Sequence, residues 1–210
     1  MEHDVNIPMA IVDFIPVVLC GIAVYNFILA FNRKMTTGQR SFFAAGGILL
    51  VASGFLKALW KLLYACGICN IPLLSDQLML NNTLAFIFLA SSTWSMIIKN
   101  KELKDTTLYS FAAVPVITSK MMFIIPMTLS VILWYVGMAV AAFRKKEKSI
   151  AFLILFTMIT ALAKSGLGSA FDGSAVMNWV AEGVMTIGEI SLCLAAVKFR
   201  KIMYEERQEF

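Results

Sequence analysis

Apolar residues fill this chain in blocks of about twenty, divided by short polar stretches. A helix needs about 20 apolar residues to cross a hydrocarbon core of about 30 Å. The blocks predict spans at 12–31, 42–66, 77–97, 107–122, 124–143, 149–168 and 175–198. The fourth and fifth come from one run, "LYSFAAVPVITSKMMFIIPMTLSVILWYVGMAVAAF", 36 residues long. That is too long for one helix and just enough for two. The turn is expected near Ser119–Pro126, where Lys120 and Pro126 break the pattern. If 107–122 re-enters the membrane or fuses into one bent helix, the count falls to six.

Charge tests the count. "NRKMTTGQR" carries Arg33, Lys34 and Arg40, and "KNKELKD" carries Lys99, Lys101 and Lys104. "RKKEK" carries Arg144, Lys145, Lys146 and Lys148, and the C-terminal stretch carries Lys198, Arg200, Lys201 and Arg207. Seven spans put all four segments on one side. The other side then has Glu2, Asp4, Asp76 and Asp172, with Lys120 as its only loop base. The positive-inside rule sets the N-terminus out and the C-terminus in. Six full spans would divide the basic segments between the two sides. Of 18 basic residues, Lys57, Lys61, Lys120 and Lys164 alone fall in the outer part, and they need a different reason.

The spans also repeat. "FIPVVLCGIAVYNFILAFNRK" resembles "FIIPMTLSVILWYVGMAVAAFRKK", each with an outer proline, Pro16 or Pro126. "LLVASGFLKALW" resembles "FTMITALAKSGL", aligning Lys57 with Lys164. "LMLNNTLAF" resembles "AVMNWVAEG", aligning Asn81 with Asn178. Two three-helix units share an orientation only if an odd helix separates them. The expectation is an all-α integral membrane protein of seven transmembrane helices in a 3+1+3 parallel repeat. It forms one domain over 1–210: a first repeat at 12–97, a linker helix at 107–122, a second repeat at 124–198 and a cytoplasmic tail at 199–210. Parallel repeats of this kind occur in transporters, with the site at the repeat interface. In helix count, topology and repeat order the plan resembles the SWEET and PQ-loop membrane proteins, and more loosely the microbial rhodopsins. The Pro-Gln dipeptide of the PQ-loop family is absent. A retinal protein wants a lysine in mid-helix seven, whereas Lys198 stands at the end of that span.

Composition agrees with a membrane protein. Hydrophobic residues make up 60% of the chain and the mean hydropathy is +0.80, against about 45–50% apolar in soluble domains. A plasma or bacterial inner membrane is the expected location. The net charge of +5 reads as topology and not as a nucleic-acid surface. "MEHDVNIPM" is acidic and lacks a basic n-region, so the first span is expected to be retained and not cleaved. The expected partners are the bilayer, a small-molecule solute, and a second copy or another membrane protein.

Candidate chemistry lies inside the spans. Lys57, Trp60, Lys61 and Tyr64 share one helix face. Lys61, about a turn from the outer end, is close enough to snorkel to the headgroups. Lys57 lies roughly 13 Å in, too deep to snorkel easily. Lys164 stands one turn from the end of its span. Glu182 and Glu189 lie two turns apart on one face of the last span, with Asn178 on the same stripe. Glu189, near mid-span, must be uncharged, face a polar cavity or pair with a base. These residues, with Asn81, form the candidate ligand or coupling set. Asp13 reads as a solvated end residue. The hydroxyl-rich "ASSTWS" and the glycines of "AAGG" read as packing positions. "CGIC" gives Cys66 and Cys69 the spacing of thiol oxidoreductases, but Cys20 and Cys193 do not make a second pair. The one histidine, His3, rules against zinc or haem, and no cofactor is expected.

Three functions fit in order. The first is a small transporter or facilitator of a polar or anionic solute. The second is a membrane-embedded sensor or interaction subunit, and the third a thiol-redox or lipid-modifying enzyme.

Overall fold

The ends of each helix are marked in the sequence. In the computed structural model, which describes residues 6–98, 120–170 and 175–205, Asn6 caps α1 (Ile7–Val12) by accepting from the Met9 N–H. Asp13 keeps helical geometry, so α1 and α2 (Phe14–Phe31) form one nearly continuous rod. Thr36 and Gln39 form a reciprocal capping box that starts α3 (Thr37–Ala65). Gly67, at φ +66, turns the chain after α3, a backbone state that glycine adopts without strain. Pro72 opens α4 (Pro72–Ile97), where its missing N–H costs nothing. Then follow α5 (Lys120–Arg144), α6 (Lys148–Ala170) and α7 (Ala175–Glu205).

Five helices among the described residues are long and apolar enough to cross a membrane: Ile7–Phe31, Thr37–Ala65, Pro72–Ile97, Ile124–Arg144 and Val176–Glu205. Their outward faces are apolar too. Ile7, Ile11, Ile15, Val18, Ile22 and Tyr25 are exposed and recur every three or four residues. That is a lipid-facing stripe, the reverse of a soluble helix.

The long helices make a ring. Each packs on its chain neighbour, α4 packs on α5, and α7 closes back on α2. Directions follow from side-chain contacts. Gln39 bonds Ser95 and Ser53 bonds Asn82, so α3 and α4 are antiparallel. Trp94 Nε1 donates to Leu133 O and Arg144 Nη1 to Ile97 O, so α4 and α5 run the same way. Arg200 bonds Asn26, while Asp13 and Glu182 share Lys61, so α2 and α7 are parallel as well. The described basic residues Arg33, Lys34, Arg40, Arg144, Lys145, Lys146, Lys148, Lys198 and Lys201 therefore flank helix ends at one end of the bundle.

Packing between α3 and α4 uses small and hydroxylated residues, as expected. Ser92 and Ser95 are buried and bond Gln39 of α3, Ser92 Oγ donating to Gln39 O at 2.6 Å, while buried Thr93 faces Met138 of α5. A Cβ on Gly46 would meet Ala85 O at 2.7 Å. Phe27, Phe31, Phe43 and Phe199 pack edge to face or stacked toward the basic end.

Three expectations need comment. The break predicted at Ser119–Pro126 does not fall at Pro126, because α5 starts at Lys120 and runs through that proline. As the seventh residue of α5 it removes one backbone bond, a loss that helices inside membranes tolerate. Helices also overrun the apolar blocks. α7 continues to Glu205 through good helix formers, with a Lys201–Glu205 pair at 3.8 Å. The span predicted at 107–122 lies, up to Lys120, outside the described residues.

Gly46→Ala should lower stability by about 1–3 kcal/mol, because the new methyl meets backbone and must move α4. Gly183→Ala, with nothing within 4 Å, should be neutral or stabilise by up to about 1 kcal/mol. Thermal unfolding in detergent measures both.

Candidate functional site

Charged side chains from four parts of the ring meet at the end away from the basic residues. Asp13 enters at the α1–α2 junction, Lys57 and Lys61 come from the last turns of α3, Lys164 from α6 and Glu182 from the first turns of α7. The antiparallel and parallel pairings above bring exactly those helix ends to one level. An apolar bundle cannot leave such groups bare, since each buried charge needs a partner.

Lys61 is the hub. Its ammonium pairs with Asp13 Oδ2 and lies 3.3 Å from Glu182 Oε1. Lys164 Nζ is also 3.3 Å from Glu182 Oε1. The side chains of Asp13 and Glu182 are only 6% and 8% exposed. Lys57, one turn deeper on α3, is partly buried and feels the charges of Lys61, Lys164, Asp13 and Glu182. It forms no ion pair or hydrogen bond with a described residue. The group thus holds three lysines against two carboxylates.

Glu189 sits two turns further along α7 and is 5% exposed. The Cys20 thiol of α2 lies beside its carboxylate, whereas its Oε2 has no partner among the described residues. Tyr135, Cys193 and the more distant Lys164 complete its polar surroundings.

The other candidates stand apart. Trp60 and Tyr64 stack at 5.8 Å, and Trp60 Nε1 donates to Asn70 Oδ1 at 3.0 Å. Asn81 bonds Gln77 on its own helix. Asn178 is partly buried and makes no hydrogen bond among the described residues. Cys66 and Cys69 are free and exposed after α3. No metal-holding group of His, Cys, Asp or Glu occurs among the described residues. A groove of about 310 Å³ between α6 and α7, walled by Phe152, Phe156, Ile187 and Leu194, is apolar and open to the outer surface. It is no place for a polar ligand.

Two expectations are corrected here. Asp13 is not a solvated end residue; it is buried and paired. Lys61 does not snorkel; two carboxylates hold it inside. The sequence did carry a signal for Asp13. It is an acid with four apolar residues on either side, "MAIVDFIPVV", which is the mark of an intramembrane charge.

Removing the hub strands Asp13 and leaves Glu182 with Lys164 alone. Lys61→Ala should cost about 3 kcal/mol or more, and Asp13→Asn in that background should recover part of the loss. A double-mutant cycle on unfolding free energy should give a coupling above about 1 kcal/mol.

Comparison with known proteins returns no matching family model, no matching curated protein and no matching solved structure, so function has to be read from these side chains.

Proposed function

We propose that this chain is a small seven-helix membrane transporter or facilitator of a polar solute, anionic or zwitterionic, and that Lys57 contacts that solute. The observation that carries the reading is Lys57, which has no ion-pair partner among the described residues and is the extra cation in a group of three lysines and two carboxylates. An anion is the ligand that completes such a set, and ammonium–carboxylate hydrogen bonds contribute about 1.5–3 kcal/mol each.

Several features support the wider frame. α4 and α5 are parallel neighbours, which fits a further crossing at 107–122 and hence seven spans. The basic ends of the helices fit a cytoplasmic face, with the N-terminus outside and the C-terminus inside. Lys57 and Lys164, matched by the sequence repeat, both supply cations to one group, which fits a site between repeats. The charge group then lies toward the outer face, where a solute would enter. The favoured location is a plasma or bacterial inner membrane.

Proteoliposomes holding the purified protein should take up labelled solute from a panel of small carboxylates, amino acids and phosphate esters. Lys57→Met should lower uptake at least about tenfold, the equivalent of one lost charged contact. Its melting temperature should hold or rise, since Lys57 closes no ion pair among the described residues. A protein that moves nothing across the panel overturns the reading, as does full transport by Lys57→Met.

A further inference from the structure

Glu189 is the buried ionisable group that the lysine cluster leaves unused. It lies near the midpoint of α7, with fourteen residues of that helix before it and sixteen after. Its depth makes an uncompensated negative charge costly. The obvious compensation is missing. Lys164, the lysine that feels its charge, is held at 3.3 Å on Glu182. The groups that face Glu189 are the Cys20 thiol from α2, the Tyr135 phenol from α5, Lys164 from α6 and Cys193 on α7 itself. None of them closes an ion pair with it among the described residues. One carboxylate oxygen, Oε2, is buried and has no donor among the described residues.

A ligand at that oxygen must be small and positively charged, or bring a donor. Gly188 is packed against Thr160, and a Cβ there would run into the threonine hydroxyl, so α6 lies close beside this turn of α7. A proton is the one ligand that cancels the charge and adds no volume.

We propose that Glu189 is a proton-binding carboxyl in the middle of the bundle and that it carries the coupling proton of the transport cycle. The coupling half rests on the transporter reading above; the proton site itself does not. The step is simple. Glu189 carboxylate takes one proton from the aqueous phase on one side to give the carboxylic acid, and later releases that proton to the other side. No electrons move and no other bond changes. Its position on the same face of α7 as Glu182, two turns along, places the proton site beside the lysine cluster. Lys164 feels both carboxylates, and so links the occupancy of one to the other.

Infrared difference spectroscopy of the full-length protein in lipid nanodiscs, taken across a pH titration, tests the proton site without a solute. A carboxylic-acid carbonyl band should rise and fall with pH, vanish in Glu189→Gln and shift in Cys20→Ala, which removes the neighbouring thiol. A merely structural glutamate would give no such shift. A spectrum that survives Glu189→Gln unchanged overturns the proposal. In proteoliposomes, an inward proton gradient should raise solute uptake severalfold. Glu189→Gln should still exchange labelled for unlabelled solute yet ignore the gradient. Wild-type uptake that ignores protons, or responds to sodium in their place, overturns the coupling and leaves the transporter reading standing. An infrared signature with no solute movement overturns the transporter reading and its coupling, and leaves the proton site.

Discussion

Lys61 between Asp13 and Glu182 ties α2, α3 and α7 together, and Lys164 on the same Glu182 adds α6. Outside this group, α2, α3 and α7 meet mainly through apolar contacts, and apolar contacts gain little among lipid tails. A shared ammonium is different. It holds the charged ends of α2, α3 and α7 facing one another. The closure of the ring through α2 and α7 therefore rests on an ion-pair group as much as on packing. The small residues of α3 and α4 play the complementary part, letting backbones approach and hydroxyls bond across the seam.

The parallel pairs α4–α5 and α2–α7 follow from the same contacts. They put Asp13, Lys57, Lys61, Lys164 and Glu182 at one end and the run of basic loop residues at the other. The segregation matters for function. Cations at the basic end lie beyond the apolar blocks and can be solvated. Cations at the opposite end lie within α3 and α6, and they persist only where carboxylates or a ligand neutralise them.

Much of this was legible in the sequence, and the failures have a common cause. The apolar blocks located the helices because length and hydropathy are local properties. The hydroxyl-rich stretch of α4 and the glycines of α3 read correctly as packing, since small residues have few other uses inside a bundle. Asp13 and Lys61 were misjudged because their environments depend on residues far away in the chain. Glu182 lies 121 positions from Lys61, and no window along the sequence joins them. Depth alone suggested that Lys61 could reach the headgroups; a carboxylate on a neighbouring helix was closer. Pro126 failed for a different reason. A proline near a helix start interrupts a hydropathy pattern without ending the helix.

Lys57 and Lys61 look alike in sequence, one turn apart on one face, yet the structure separates them. Lys61 has both of its anions inside the protein. Its contribution is complete without a ligand, and its loss should be felt as stability. Lys57 has none among the described residues, so holding it there costs stability that nothing in the described fold repays. A group that is costly at rest and gains its partner only on binding is what distinguishes a site from a strut. The same reasoning applies to Glu189, whose free oxygen has no structural use. Two uncompensated groups of opposite sign lie near one face of α7, joined through Lys164 and Glu182. An anion at one and a proton at the other would together leave the bundle's net charge unchanged. That balance is what a carrier needs when it moves a charged solute through an apolar medium, because a loaded state with no added charge crosses at the lowest electrostatic cost.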